Sequence, residues 1–550
     1  MSESAPTAAV QEGEGRGAPT VRDAALDVMR RYGLTRIFGN PGSTEIKFLT
    51  DLPADIEFVL GLHEGAVVGI ATGYAIARGR PAFVNLHTAP GLGNAGNAIA
   101  NARDARAPLV IVVGQQDRRQ LAFEPFLTGR HLDRLAGEYP VWTNLPARPQ
   151  DVPGAIARAY HEAQAAMGPA LVVVPMGDWL EPADELAADS PLRASAPHSV
   201  SPHDVAELAE LLAGARAPAL VVGAEDSHEA WDGVVALAER LRCPVWQEPF
   251  IRRAGFPQDH ELFAGHIGWR RQVMHDVLAE HDVVVAVGTN AFRLYLFDQP
   301  LRLVEAQTRV AVITADPAEA YRSPCELAIV APVAETCRAL AGLVPDRRAP
   351  ERRTPAPQSF QRPAALAPPA AGEPLRPGHV LDALAERMRE DSVIVEETPS
   401  SQPELYRRIR IRAPLGFVGT ANGGLGFGLS GAIGLAMGLP KRPVIAVLGD
   451  GASIYSIQAL WSAARYRVGV LLIVMANGGY SVMDALAREH GGQAPWPRFE
   501  SVDISVLARA FGCPAVRVET HEELGAALAD ALGRLPGADQ PLVLEVTVGE

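Results

Sequence analysis

The stretch PVIAVLGDGASIYSIQALWSAARYRVGVLLIVMANGGY, residues 443–480, decides the fold. Its first apolar run, 443–450, suits a strand buried on both faces. The pattern then predicts a helix over 453–466 and a second strand over 468–476, parallel to the first. Asp450 ends the first strand, and Asn477 follows the second after 25 residues that intervene beyond Gly449-Asp450-Gly451. One strand–helix–strand unit thus sets a carboxylate and an amide oxygen side by side on one sheet edge. Such hard oxygen ligands suit Mg²⁺ or Ca²⁺, completed by a backbone carbonyl and phosphate oxygens. The helix start beside Gly451 offers N–H groups to the same phosphates. A capping Asp would explain GDG alone; the spacing to Asn477 favours the ligand role.

Working outward, the same alternation fills the chain. Apolar runs at 56–63, 81–87, 108–114 and 169–175 precede others at 218–224, 282–288 and 309–316, then at 392–397 and 541–548. Strands alternating with helical stretches predict an α/β protein of three open parallel-sheet domains. Pro-rich segments at 181–202 and 345–377 serve as linkers. They delimit domains at 19–180, 203–344 and 378–550, after a tail over 1–18. In such sheets ligands bind beyond the carboxyl ends of the strands.

Composition narrows the function. With Lys+Arg 50 against Asp+Glu 64, the 550-residue chain carries a net charge of −14. That repels the phosphates of nucleic acid and anionic lipid alike. No run reaches about 18 unbroken apolar residues, so no membrane span is expected. Cys243, Cys325, Cys337 and Cys513 are scattered without a C-x-x-C pair, which predicts neither disulfides nor a zinc site. Residues 1–20 lack the regions of a signal peptide, and a cytoplasmic protein without nucleic-acid or membrane partners is expected.

The spacing from GDG to Asn477 resembles the diphosphate–magnesium motif of thiamine diphosphate enzymes. The resemblance covers roughly 19–550 and is narrowest to the benzoylformate decarboxylase branch. It is carried by FGNPGSTE (38–45), LHEGAVVGIATGYA (62–75), FVNLHTAPGLGNAGNAIANA (83–102), VVGQQ (112–116), NGGLGFGLSGAIG (422–434) and GDGASIYSIQALWSAARY (449–466). It implies that the first domain binds the aminopyrimidine, the third binds the diphosphate, and two chains share each site. A homo-oligomer of at least two chains, with a tetramer expected, follows from the same resemblance.

Residue roles carry over in the same way. Glu64, otherwise an acidic residue favoured at a helix N-terminus, matches the carboxylate that exchanges a proton with N1′ of the aminopyrimidine. Gly423 matches the carbonyl that accepts from the 4′-amino group, and Leu425 the wedge that keeps the cofactor bent. Thr398, Ser400, Gly451, Ala452 and Tyr480 are implied at the cofactor, with Asp450, Asn477 and Gly479 on the metal. His87 matches the catalytic His of the branch; an imidazole can both donate and accept protons. Ser43 matches the serine that holds the substrate carboxylate, while its spacing to Glu45 is also near that of a capping box. Phe126, Leu127, Pro399, Met483 and Leu486 occupy pocket positions. Where the branch reads F-R-Y-H, this chain has Phe292-Arg293-Leu294-Tyr295, so a phenol replaces a second active-site imidazole. Tyr295 either lines the pocket or packs in the middle-domain core.

The expected reaction is nonoxidative decarboxylation of an aromatic or bulky 2-oxo acid to an aldehyde and CO₂, with carboligation to 2-hydroxyketones as a side path. An acetohydroxyacid synthase-like carboligase or aldehyde lyase, and a non-catalytic cofactor-binding scaffold, are the alternatives. Some relatives of the first kind bind FAD, but residues 223–230, GAEDSHEA, lack the glycines of a G-x-G-x-x-G loop.

Overall fold

Strands β1 (Arg36–Gly39), β2 (Glu57–Leu60), β3 (Ala82–Leu86), β4 (Leu109–Gln115), β5 (Trp142–Asn144) and β6 (Pro169–Pro175) form the first sheet. All pair in parallel, in the order β2-β1-β3-β4-β6-β5. Every residue of β3, β4 and β6 is buried, as continuous apolar runs require when helices cover both faces. The computed structural model describes residues 18–184, 191, 199–225, 227–347, 360–370 and 372–549. The tail, most of the first Pro-rich linker and part of the second therefore lie outside the described residues.

The middle sheet holds β7 (Pro218–Val222), β8 (Val245–Gln247), β9 (Phe263–His266), β10 (Val283–Val287), β11 (Arg309–Thr314) and β12 (Leu327–Val330). Its order is β12-β11-β10-β7-β8-β9. The third comprises β13 (Val393–Glu397), β14 (Phe417–Gly419), β15 (Val444–Gly449), β16 (Leu471–Ala476), β17 (Ala515–Val518) and β18 (Leu542–Thr547). Its order, β14-β13-β15-β16-β18-β17, repeats that of the first sheet strand for strand. The predicted class stands: three parallel α/β sheets.

The matching sheets are joined by the helices that follow their second strands, Glu64–Arg78 and Phe427–Gly438. A Cβ on Gly73 would lie 2.0 Å from the Gly431 carbonyl oxygen, and one on Gly434 would lie 1.9 Å from that of Ile70. Gly69 faces Ser430 and Gly438 faces Ala77, so the helices run parallel and both N-termini point to one end. Only glycine permits two backbones this close.

Two expectations change. The helix expected over 453–466 is two short ones, Asp450–Ile454 and Ala459–Arg465, separated by a tighter turn. Ile457 N–H bonds Ile454 and Ala459 N–H bonds Ser456, an i→i−3 pattern. The Ser453 hydroxyl donates to the Gly449 carbonyl, which competes with the regular ladder. The second linker, expected only to stay extended, has no helix or strand over 360–370 but is fastened: Phe360 meets Phe263 edge-on and Arg362 pairs with Asp382. Among the described residues, no helix is long and apolar enough to cross a membrane.

Candidate active site

At the carboxyl edge of the first sheet, Glu64 opens its helix and is buried. The Asn40 amide donates to one carboxylate oxygen at 3.1 Å and the Asn94 amide to the other at 3.0 Å. Three segments of the chain thereby fix one carboxylate. His87 follows β3, and a Cβ on Gly91 would be 3.5 Å from both Glu64 and His87. Its Nδ1 lies 3.0 Å from Glu45 Oε2 and 3.1 Å from the Thr44 hydroxyl. Thr44 also donates to Glu45, and Glu45 accepts from Gly42 N–H at 2.9 Å. Glu45, 1% exposed, is thus the orienting partner of His87. Ser43 lies exposed beside it; Glu45 occupies the N-cap of helix Ile46–Leu49 without a side-chain cap bond. Thr88 is held at a φ of 37°, rare for a β-branched residue, and its buried hydroxyl has no hydrogen-bond partner.

At the matching edge of the third sheet, Asp450 spans two loops. Its Oδ1 accepts from Gly451 N–H at 2.7 Å and its Oδ2 from Gly478 N–H at 2.6 Å. Burial pushes this carboxyl above its ordinary value, against those same N–H groups. The Gly451 N–H, expected to face phosphate, is here engaged by Asp450. Asn477 Oδ1 accepts from Gly479 N–H at 3.2 Å. The donor set of one carboxylate, one amide oxygen and a backbone carbonyl suits a hard divalent cation and no soft one. Gly451 and Ala452 are buried at the helix start, and Tyr480 stacks edge-on against Phe499.

Gly423 has a φ of +76° and open space beyond its Cα, while Leu425 is half-buried. The buried Glu397, which ends β13, accepts from the N–H groups of Gly426, Phe427 and Gly428. Its carboxyl is pushed up to about 8 by burial, with those three N–H groups pulling the other way. Thr398 is buried; Pro399 and Ser400 are exposed. Ser400 accepts from Val482 N–H at 3.2 Å, so it sits against the helix Ser481–Glu489 that carries Met483 and Leu486.

The chain matches three models of thiamine pyrophosphate enzymes: the N-terminal TPP binding domain over 19–134, the central domain over 205–340 and the C-terminal TPP binding domain over 400–546. It is 39% identical over 534 residues to benzoylformate decarboxylase of Pseudomonas aeruginosa, covering 96% of this chain and 98% of that one. The chain belongs to the thiamine pyrophosphate enzyme family. Among solved structures it resembles the thiamine diphosphate-dependent 4-hydroxybenzoylformate decarboxylase of Rhodococcus jostii RHA1 (TM-score 0.90, 34% identity, 96% and 99% covered). It also resembles benzoylformate decarboxylase of Polynucleobacter necessarius (TM-score 0.89, 32% identity, 96% and 98% covered). A putative acetolactate synthase large subunit, IlvX of Mycobacterium tuberculosis, is 28% identical over 96% of this chain and 98% of its own length.

The positions expected to shape the pocket are spread over three domains in this family member. Phe126 stands 87% exposed, on a loop tied down by Gln115 and Gln116. Its neighbour Leu127 is half-buried, with a φ of 65°. Tyr295 is 57% exposed, which removes the core-packing alternative; it meets Phe250 and Trp269 edge-on. Arg270 lies over Trp269 and pairs with Glu489, joining the Tyr295 segment to the helix of Met483 and Leu486. At the switch point of the middle sheet, Gly223 and Ala224 N–H bond the carbonyls of Val287 and Gly288, and Glu225 packs on Gly288.

Proposed function

We propose that the protein decarboxylates an aromatic or bulky 2-oxo acid nonoxidatively, giving an aldehyde and CO₂, with thiamine diphosphate and Mg²⁺ or Ca²⁺. The observation that carries this reading is the pairing of two polar constellations, Glu64 with His87 and Asp450 with Asn477, on matching edges of two sheets of one topology. The relatives named for benzoylformate and its 4-hydroxy analogue supply the substrate class.

Asp450, Asn477 and the Gly479 carbonyl would hold the metal. Thr398, Ser400, Gly451, Ala452 and Tyr480 would surround the diphosphate, and Gly423 and Leu425 the ring system. When bound, the cofactor supplies a nucleophilic carbon and an electron sink for the bond that breaks. Glu64, fixed by Asn40 and Asn94, holds or releases the proton at N1′. His87, oriented by Glu45, moves protons at the reacting oxygen and carbon. Ser43 would bind the substrate carboxylate. The apolar side chains of Phe126, Leu127, Pro399, Met483 and Leu486 favour dispersed over localised charge once water is excluded. They stand open on a single chain, which supports an oligomer of at least two chains, with four expected. The composition supports a cytoplasmic location.

Tyr295 adds a second product. A phenol is a poor proton donor near neutral pH, so slow product release leaves time for capture by an acceptor aldehyde. A panel of 2-oxo acids assayed for CO₂, aldehyde and hydroxyketone tests the reading. Benzoylformate-type acids should exceed pyruvate by about 10-fold or more in kcat/KM, a modest pocket discrimination. A preference for pyruvate, or full cofactor loading without turnover, would refute it.

A further inference from the structure

Loop 419–425 carries Gly423 and Leu425, and all three domains hold it. From the first domain, Asn101 Oδ1 accepts from Ala421 N–H at 2.9 Å and the Asn97 amide donates to the Leu425 carbonyl at 3.1 Å. From the middle domain, the Arg252 carbonyl accepts from Gly419 N–H at 3.1 Å. Arg293 Nη2 donates to the Ala421 carbonyl at 2.6 Å. A Cβ on Gly419 would lie 2.0 Å from the Ile251 carbonyl, so the two backbones abut.

Behind Arg293 lies a set of charges shut off from water. Arg252 donates to Glu319 at 2.6 Å, and the Thr314 hydroxyl donates to the other Glu319 oxygen at 2.7 Å. The Thr289 hydroxyl donates to Glu248 Oε2. Glu248 Oε1 has no hydrogen-bond partner; it faces Arg293 Nη1 at 3.7 Å and Arg252 Nε at 3.9 Å. Glu248 is 1% exposed and Glu319 fully buried. Burial pushes the Glu248 carboxyl up, and Arg293 and Arg252 pull it back. Two guanidinium groups and two carboxylates buried this imperfectly contribute little to stability over an apolar filling. Their geometry is what they supply. Arg293 also precedes Tyr295 by two residues, so one guanidinium ties the substrate-side segment to the cofactor loop.

We propose that Arg293, backed by Glu248, Arg252 and Glu319, is a positioning residue that fixes the Ala421 carbonyl and thereby the loop presenting Gly423 and Leu425 to thiamine diphosphate. The inference rests on the cofactor reading above. It predicts a loss of affinity confined to the ring end of the cofactor, since Asp450 and Asn477 hold the diphosphate end independently.

Calorimetric titration of the apoprotein with thiamine diphosphate, and separately with inorganic diphosphate, each with Mg²⁺, separates the two ends. Arg293→Met should weaken thiamine diphosphate about 10-fold or more, the order of one charged hydrogen bond, and leave inorganic diphosphate unchanged. Arg293→Lys should recover part of the loss, because an ammonium can still donate to one carbonyl. Arg252→Met, which spares the Arg293–Ala421 bond, should lower the thermal midpoint more than it lowers affinity. Arg293→Gln makes the same comparison if the Met variant does not fold. Equal losses for both ligands, or parent-like binding of thiamine diphosphate, would overturn the proposal. A parent protein that takes no thiamine diphosphate would instead overturn the functional reading beneath it.

Discussion

Glu45 illustrates what a single side chain adds to the site and how far it could be foreseen. The sequence placed it near capping-box spacing from Ser43, a local role. In the fold it turns inward to His87 Nδ1, leaving Nε2 as the nitrogen open to a substrate. Glu45→Gln keeps the volume and an acceptor for Gly42, and removes the anionic oxygen that faces His87 Nδ1. The expected outcome is a fall in kcat/KM of about 10-fold or more, equal to ~1.4 kcal/mol of transition-state stabilisation, with cofactor affinity unchanged. Steady-state kinetics beside a cofactor titration checks it; unaltered kcat/KM would remove His87's partner from the mechanism. Glu64, His87, Asp450 and Asn477 were legible because each ends a strand or opens the next helix within a spaced motif. Asn40 and Asn94, which hold Glu64, were not singled out, although Asn40 also follows a strand. Glu397 and Arg293 act on loops distant in sequence, and no local pattern announces that.

Among elements, long buried strands were read within a few residues. The ones overlooked, such as β5, β9, β14 and β17, are short and lie at sheet edges, where only three or four residues carry a signal. β1 and β8 sit inside their sheets, yet β8 has only three residues and the four of β1 run into a Pro-Gly turn. The helix pair at the domain junction was equally silent, since glycines in GAVVGIATG and GLSGAIG look like weak helix formers rather than a contact surface. Gly434→Ala tests that contact. The new Cβ would meet the backbone of Ile70, which cannot swing aside. Overpacking of about 1–3 kcal/mol or more outweighs the ~1 kcal/mol that Ala gains in helix propensity. A lowered thermal midpoint is expected, together with weaker cofactor binding, because both helices begin beside residues proposed to hold the cofactor. Gly525→Ala is the control: it lies within the helix His521–Arg534 with nothing within 4 Å, and it should be neutral or stabilising. Similar midpoints for the two variants would show that the junction yields.

Across the whole molecule, the middle and third domains also meet through an aromatic box around His266, whose residues are too far apart in sequence to be read as a unit. The imidazole stacks on Tyr406 at 4.7 Å and 9° and meets Phe263 and Phe360 edge-on. Although the residue is partly exposed, both ring nitrogens are shut off from water and have no hydrogen-bond partner. Burial lowers its pKa to about 3 from the ordinary 6.5. Between those values the unfolded chain binds a proton that the folded chain refuses, so stability falls as the pH falls. The slope for this one ring is about 1.4 kcal/mol per pH unit, or ~2 kcal/mol from pH 6.5 to pH 5. Buried carboxyls pushed upward, Glu396 and Glu397 among them, bind protons in the folded state and act in the opposite sense. The absolute pH profile therefore mixes both signs, and the difference between parent and His266→Phe isolates the ring. The variant keeps the stack, removes two unpaired nitrogens and cannot protonate. Thermal midpoints at pH 7 and pH 5 should show the parent losing more on acidification than the variant does. Parallel losses would mean that the ring gains its proton without opening the contact between the two domains.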